Sequence, residues 1–419
     1  MTRQEVPGAD AAKTMTVHPL RHRAMRVLLS SEVISSLGSQ MTYVTLPWFV
    51  LITSGSIVRM SLVFAAEIAP VALFGTPSGL IVQRLGVRKT MLLGDGVRAG
   101  LVASIPLLYY AGALSFASLL LIVFCTGIFS APYPAAQRLL IPEVVGNEEA
   151  VVVQGNALVE GATRTASFLG PALAGLLISV IRPANVIGID AATYLLSFVI
   201  LATGLKGSGA PEQTISDERS GMLGGAKLVL HDPMLRRVCL AVLLFGLFFP
   251  LLIASLPVAA KIRYDADSFT AGLLFAAWGV GGLIGSLIAA RVANKFSPVR
   301  MGALAAIALA IPTWLFWLPL TAWEFGLLLL ISGVFTPMVN APLITIILLR
   351  APSELRAQVI TFVVTASALA GPLGYVLAGP ALELWGLGPL LVVVAAGLTV
   401  AAVLLTMVLR VEDSPTTAD

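Results

Sequence analysis

Charge is the scarcest property of this chain: 11% of its 419 residues are Asp, Glu, Lys or Arg, against about 25% in soluble globular domains. So little charge cannot cover a water-facing surface, and a soluble fold is excluded. Cysteine is almost absent. Cys125 and Cys239 fall in apolar runs at unrelated depths and give neither a disulfide framework nor a metal-ligand spacing. The histidines, His18, His22 and His231, form no ligand cluster. There is no G-x-x-x-x-G-K-[ST] phosphate loop, so ATP is not the direct energy source. Without a nucleophile–base arrangement or a metal cluster, no enzyme chemistry and no cofactor are expected. Met1 to Arg26 are polar and basic, with no apolar core followed by a cleavage site, so no cleaved signal peptide is expected. The pI of 9.2 arises from basic residues scattered over short loops, which excludes a nucleic-acid-binding patch.

Apolar sequence is what the chain has in excess. Hydrophobic residues make up 58% of it, and its mean hydropathy is +0.94. Spans are expected at 26–52, 58–82, 90–110, 114–137, 157–180, 186–205, 237–260, 268–290, 300–320, 323–348, 358–381 and 387–409. Each is long enough to cross about 30 Å of hydrocarbon. In lipid the backbone must satisfy its own hydrogen bonds, so these runs are helices; the alternating short segments of a barrel do not occur. Twenty Lys and Arg residues fall in the tails and loops on one side, and only Arg59, Arg182, Lys261 and Arg263 on the other. That bias assigns both termini to the cytoplasm.

The domain plan is an N-terminal tail 1–25, a six-helix bundle 26–205, a linker 206–236, a second six-helix bundle 237–409 and a tail 410–419. The linker contains GSGAPEQTISDERSG, the composition of a flexible tether. The two halves repeat each other in order: Leu62-Val-Phe-Ala-Ala66 as Leu273-Leu-Phe-Ala-Ala277, Leu46-Pro47 as Leu256-Pro257, and Gly127-Ile-Phe129 as Gly333-Val-Phe335. Gly75-xxx-Gly79 returns as Gly281-xxx-Gly285. Six spans per half give the repeats one orientation, hence a two-fold axis along the membrane normal. Two such bundles on a slack linker can rock around a site between them. The glycine stripes either serve that motion or only pack helices. Pro171 and Pro372, at equivalent places inside spans, permit a bend.

After the second span the chain reads Gly79-Leu-Ile-Val-Gln83-Arg84-Leu-Gly86-Val-Arg88-Lys89. The fifth span carries Gly161 and then Gly170-Pro171-Ala-Leu-Ala-Gly175. The first resembles the loop motif of the major facilitator superfamily, with Gly79, Arg84, Gly86 and Arg88 in place. Gln83 stands where the family has an acid and Val87 where a basic residue is common, which implies a weaker latch between the halves. The second resembles the glycine–proline motif of exporters in that superfamily. Gly-Asp95-Gly-Val-Arg98-Ala and Pro132-Tyr-Pro-Ala-Ala-Gln-Arg138 resemble the bacterial branch of macrolide, multidrug and siderophore exporters. The resemblance covers 26–409. It implies an all-α major facilitator fold of twelve transmembrane helices in two pseudo-symmetric bundles, in a bacterial inner membrane.

Charges in the spans carry the expectation of coupling, since each costs about 2.5–3.5 kcal/mol at the bilayer centre on insertion scales. Glu32, Glu67, Asp95, Arg98, Glu160, Arg164 and Asp190 all fall in the N-terminal half. Asp95 with Arg98, and Glu160 with Arg164, share helix faces; each pair is either a neutral staple or part of proton coupling. Glu32 and Glu67 have no local cation; each is either a desolvated carboxyl that exchanges protons near physiological pH or a carboxyl hydrogen-bonded to neighbouring hydroxyls. Asp190, near an end of the sixth span, reads as a solvated cap. In the family the first, fourth, seventh and tenth spans line the cavity. Here they offer Gln40, Met41, Tyr43, Phe129, Tyr133, Gln137, Phe245, Phe249, Met338 and Asn340 to an amphipathic ligand. The expected activity is proton-driven export of amphipathic small molecules by a monomer, with protons and lipid as its other partners. A nutrient symporter and a non-transporting sensor are the alternatives.

Overall fold

A computed structural model of the chain describes residues 18–75, 78–205, 222–265, 268–292, 295–352 and 355–412. Of the expected tails and linker, 1–17, 206–221 and 413–419 lie outside the described residues. The first half contains α1 (Arg23–Ser54), α2 (Ile57–Phe74), α3 (Ser78–Leu85), α4 (Val87–Tyr110), α5 (Phe116–Ser130), α6 (Tyr133–Val145), α7 (Glu149–Val180) and α8 (Pro183–Gly204). A short linker helix, α9 (Met222–His231), precedes α10 (Pro233–Val258), α11 (Ser268–Val292), α12 (Pro298–Thr313), α13 (Ala322–Arg350), α14 (Arg356–Trp385) and α15 (Leu387–Glu412). α2 with α3, and α5 with α6, each form one broken rod, so the protein is all-helical with twelve rods in two sixes. The break before α6 falls at Pro132 and Pro134, which remove two backbone donors in succession.

Ten rods are long and apolar enough to cross a membrane. The other two explain themselves. α12 is apolar but only 16 residues long. α1 has 32 residues, and its hydropathy is lowered by Ser31, Glu32, Ser35, Thr42 and Thr45, all of them buried. Its polar face meets neighbouring helices, not lipid.

The rods alternate in direction, so Arg23, Gly204, Pro233 and Glu412 share one end of the molecule, the terminal end. The halves meet at the opposite, far end. There α7 crosses α11 so closely that a Cβ on Gly175 would lie 3.0 Å from Gly272 Cα and 2.9 Å from Ser268 O. Ser268 Oγ donates to Gly175 O at 3.4 Å. α2 meets α14 in the same way: a Cβ on Gly379 would lie 2.7 Å from Val58 Cα. Two charges complete the closure. Lys261 Nζ donates to Leu51 O at the C-terminus of α1 (3.4 Å), and Glu383 Oε1 accepts from Val58 N at the N-terminus of α2 (3.2 Å). Each charge sits on the helix end of opposite partial sign.

Gly175→Leu places a side chain into the α7–α11 crossing and therefore drives the far ends apart. Spin labels at Val180 and Trp323, which are 75% and 84% exposed, read this as a longer distance than in the unsubstituted protein. An unchanged distance would show that the crossing does not hold the closure.

Candidate functional site

The loop motif is built on one conformational requirement and one charge. Gly86 caps α4 at φ +81°, ψ 152°, a region essentially reserved for glycine, so Gly86→Ala costs about 1–3 kcal/mol; detergent unfolding curves of the two proteins measure it. Arg88 Nη2 donates to Ala202 O at 2.9 Å, placing a cation on the C-terminal turn of α8. Gly79 opens α3, and Arg84 in its last turn is exposed. The motif thus ties α3, α4 and α8 of one half together.

Inside the first half lies a connected set of acids. Glu32 is 5% exposed and accepts from donors on three helices: Ser36 Oγ on α1 itself, Gln137 Nε2 on α6 at 2.6 Å, and Thr163 Oγ1 on α7 at 2.9 Å. No cation pairs with it among the described residues. Asp95 is completely buried and is paired with Arg98. It also accepts from Ser197 Oγ at 2.6 Å and from Tyr133 Oη at 3.5 Å. The Arg98 guanidinium lies over the rings of Tyr133 and Tyr194, 4.6 and 4.4 Å from their centroids, and its Nε donates to Gly94 O. Tyr194 in turn hydrogen-bonds Ser39 of α1 at 2.7 Å. This buried cation is satisfied by a carboxylate, a carbonyl and two ring faces.

Asp190 overturns the expectation of a solvated cap, because it is 1% exposed. Pro183 starts α8, which carries Asp190 two turns into the bundle. A Cβ on Gly38 of α1 would collide with Asp190 and Thr193, so glycine there makes the room. Thr193 Oγ1 donates to Asp190 Oδ1 at 3.2 Å. Thr42 approaches from α1 without closing a hydrogen bond, leaving Asp190 Oδ2 and Thr42 Oγ1 buried and unpartnered. Glu67 Oε2 is likewise buried with no partner. It lies within electrostatic reach of Tyr43 and Tyr375, whose hydroxyls join α1 to α14 across the halves at 2.6 Å. Phe64 stacks on Tyr375 with centroids 5.0 Å apart.

Between the halves is a cavity of about 690 Å³. It reaches toward the terminal end, where Arg164, Ala289, Ala290 and Met301 line it. Gln40, Tyr43, Phe249 and Asn340 line it as expected from the sequence, and Phe245 lines an adjoining pocket of about 240 Å³. Five expected residues are elsewhere. Met41 and Met338 are packed in the core, 3% and 8% exposed. Tyr133 and Gln137 serve Arg98 and Glu32, and the carbonyl of Phe129 abuts Gly94. The fourth rod contributes no residue to the cavity wall; α7 and α11 do, through Ser167, Pro171, Trp278, Gly279 and Gly282. The glycines of these helices allow both to approach the centre. Gly170 packs on Gln40 of α1, Gly279 on Phe168, and Gly175 on α11.

Glu160 and Arg164 form a 2.8 Å ion pair whose side chains are 60% and 45% exposed. They differ from the buried Asp95–Arg98 pair, because this stretch of α7 faces the cavity opening. Among the described residues no group of three or more His, Cys, Asp or Glu could hold a metal ion.

The sequence profile of the Major Facilitator Superfamily matches residues 28–375, and a second alignment covers 238–418, restarting at the head of the second half. The multidrug efflux pump Tap of Mycolicibacterium fortuitum is 26% identical over 373 residues, which is 86% of this chain and 90% of that protein. Tap of Mycobacterium tuberculosis is 25% identical over 379 residues, 86% of this chain and 87% of that one. Among solved structures, the nucleoside transporter NupG superimposes with a TM-score of 0.75 at 12% identity, covering 92% of this chain and 99% of that chain. A bacterial homologue of the human lysosomal transporter Spinster, inward-facing and unoccupied, gives 0.71 at 14%, covering 94% and 98%. The structural likenesses carry the fold, and the profile carries the family. With twelve rods in two repeated halves around a central cavity, the chain belongs to the Major Facilitator Superfamily, a family of transporters and not of enzymes.

Proposed function

We propose that this protein exports amphipathic small molecules from the bacterial cytoplasm across the inner membrane in exchange for protons. The cavity between the halves carries that reading. The halves are packed together at the far end by the Gly175–Gly272 crossing, and the cavity reaches toward the terminal end, where the basic loops collect. The protein is then a monomer with both termini in the cytoplasm, facing inward. Its curated relatives named as multidrug efflux pumps support the direction of transport.

Glu32, Asp95, Asp190 and the half-buried Glu67 are not among the cavity-lining residues, so the proton acts through helix packing. Glu32 joins α1 to α6 and α7 through two donors, Gln137 and Thr163, besides Ser36 on its own helix. A proton on it removes acceptor capacity from those donors and loosens α7. α7 carries Arg164, Pro171 and Gly175, and it is the helix that crosses into the other half at Gly272. Glu67 stands beside the Tyr43–Tyr375 bond in the same way. Protonation on one side of the membrane and release on the other thus bias which end is closed.

Proteoliposomes with an imposed pH gradient test the proposal against a panel of amphiphiles. The expected result is amphiphile movement against its own gradient, opposite in direction to the proton flow and abolished by a protonophore. Movement of amphiphile and protons in the same direction would make the protein a symporter, and no flux for any ligand would make it a sensor.

A further inference from the structure

We infer that the ligand is an amphiphile with an oxyanion head, held by Arg164, and an apolar tail lodged in a side pocket of the C-terminal half. This rests on the export reading and narrows its substrate. The charge on the cavity wall comes first. Among the described residues lining the cavity, Arg164 is the one ionic side chain. Of the carboxyls a cationic ligand would need, Glu32 on its three donors, Asp95 on Arg98 and Asp190 beneath Gly38 are buried, Glu67 is half-buried with Oε2 enclosed, and the exposed Glu160 is already paired with Arg164. A cation entering here meets the like charge of Arg164, and the one carboxylate beside it, Glu160, is already held by that arginine.

Arg164 is available to an anion. Its side chain is 45% exposed and meets Glu160, one turn earlier on the same helix, through Nη2. A guanidinium has five donors in a planar fork, so this one contact leaves donors for a ligand in the cavity that Arg164 lines. Carboxylates and other oxyanions match that fork with two parallel bonds. Glu160 balances the charge while no ligand is bound.

The far wall fits the other end of such a molecule. Phe249 and Trp278 pack with ring centroids 4.9 Å apart. Beside them the pocket of about 240 Å³ runs into the second half between Val242, Phe245, Leu309 and Leu398, room for about eight water-sized groups. Phe249, Thr336 and Asn340 border both spaces, so the two form one bipartite site with hydrogen-bonding groups at the junction. Arg164 belongs to the N-terminal half and the tail pocket to the C-terminal half. A ligand with both parts bridges the halves, as a ligand that biases their rocking must.

Three ligands with one apolar body test this directly: naphthylacetate, naphthylacetamide and naphthylethylamine, titrated against the purified full-length protein by calorimetry without any gradient. The acetate is expected to bind at least about tenfold more tightly than the amide or the amine, the scale of a charge-assisted bond. In Arg164→Gln the three should fall within about threefold of one another, because the charge-assisted bond is what separates them. Arg164→Lys should keep part of the preference, since lysine retains the charge and loses the fork. Val242→Phe, which fills the side pocket, should cost naphthylacetate more than phenylacetate. Tightest binding of the amine, or an acetate preference that survives Arg164→Gln in a protein eluting as the native monomer, overturns the inference. Uphill transport of the amine would sink this inference alone. Acetate binding without transport would sink the export reading alone.

Discussion

Arg98→Leu lowers the stability of the folded protein by about 3–5 kcal/mol, the cost of leaving a buried charge without its partner. Asp95 would remain at zero exposure with Ser197 and Tyr133 as its donors, and the faces of Tyr133 and Tyr194 would lose the cation between them. Asp95→Leu should cost a similar amount for the converse reason. The double variant Asp95→Leu/Arg98→Leu should recover most of the loss, because a buried ion pair replaced by packed apolar groups is often neutral. Unfolding curves of the four proteins in detergent give the coupling energy as a double-mutant cycle. Additive losses would mean that the two charges do not act as a pair. If the double variant is stable but no longer transports, the pair serves the proton pathway as well as the fold.

Glu32→Gln should abolish transport driven by a pH gradient, down to the level of empty liposomes, while ligand counterflow without a gradient persists. Glutamine cannot exchange a proton, and its own amide donor would face the donors of Gln137 and Thr163. Counterflow needs the cavity, which Glu32 does not line, and rocking of the halves, which a permanently neutral side chain at this position still permits. Glu67→Gln is the companion test at the Tyr43–Tyr375 contact. Loss of gradient-driven and counterflow activity together would indicate a folding defect. Retention of both would remove Glu32 from the coupling.

The helical architecture was legible in the sequence because lipid leaves the backbone so little choice. Runs of about 20 apolar residues have to become rods, and the repeat of Leu62–Ala66 at Leu273–Ala277 marks two halves. Boundaries were less visible. α7 begins at Glu149, ahead of its apolar run, because a helix that has nucleated continues past the hydrocarbon edge. The site was read in part. Gln40, Tyr43, Phe249 and Asn340 were found from their helices, but a fixed rule about which spans line the cavity placed Phe129 and Tyr133 there and passed over Trp278. The signal was present in Trp278-Gly-Val-Gly-Gly282, where small residues on one face of α11 let it reach the centre. Asp190 was misjudged because its depth depends on where α8 starts. Gly38, five rods earlier in sequence, is what accommodates it, and no local pattern links the two.

Opening of the two ends in opposition is the claim on which the account depends. Distances between spin labels measure it, with one pair at Leu85 and Phe296 on the terminal end and another at Val180 and Trp323 on the far end, all exposed positions. Lowering the pH in the presence of ligand should shorten the first distance and lengthen the second within the same population. Two distances that stay fixed, or that lengthen together, would contradict alternating access in this protein.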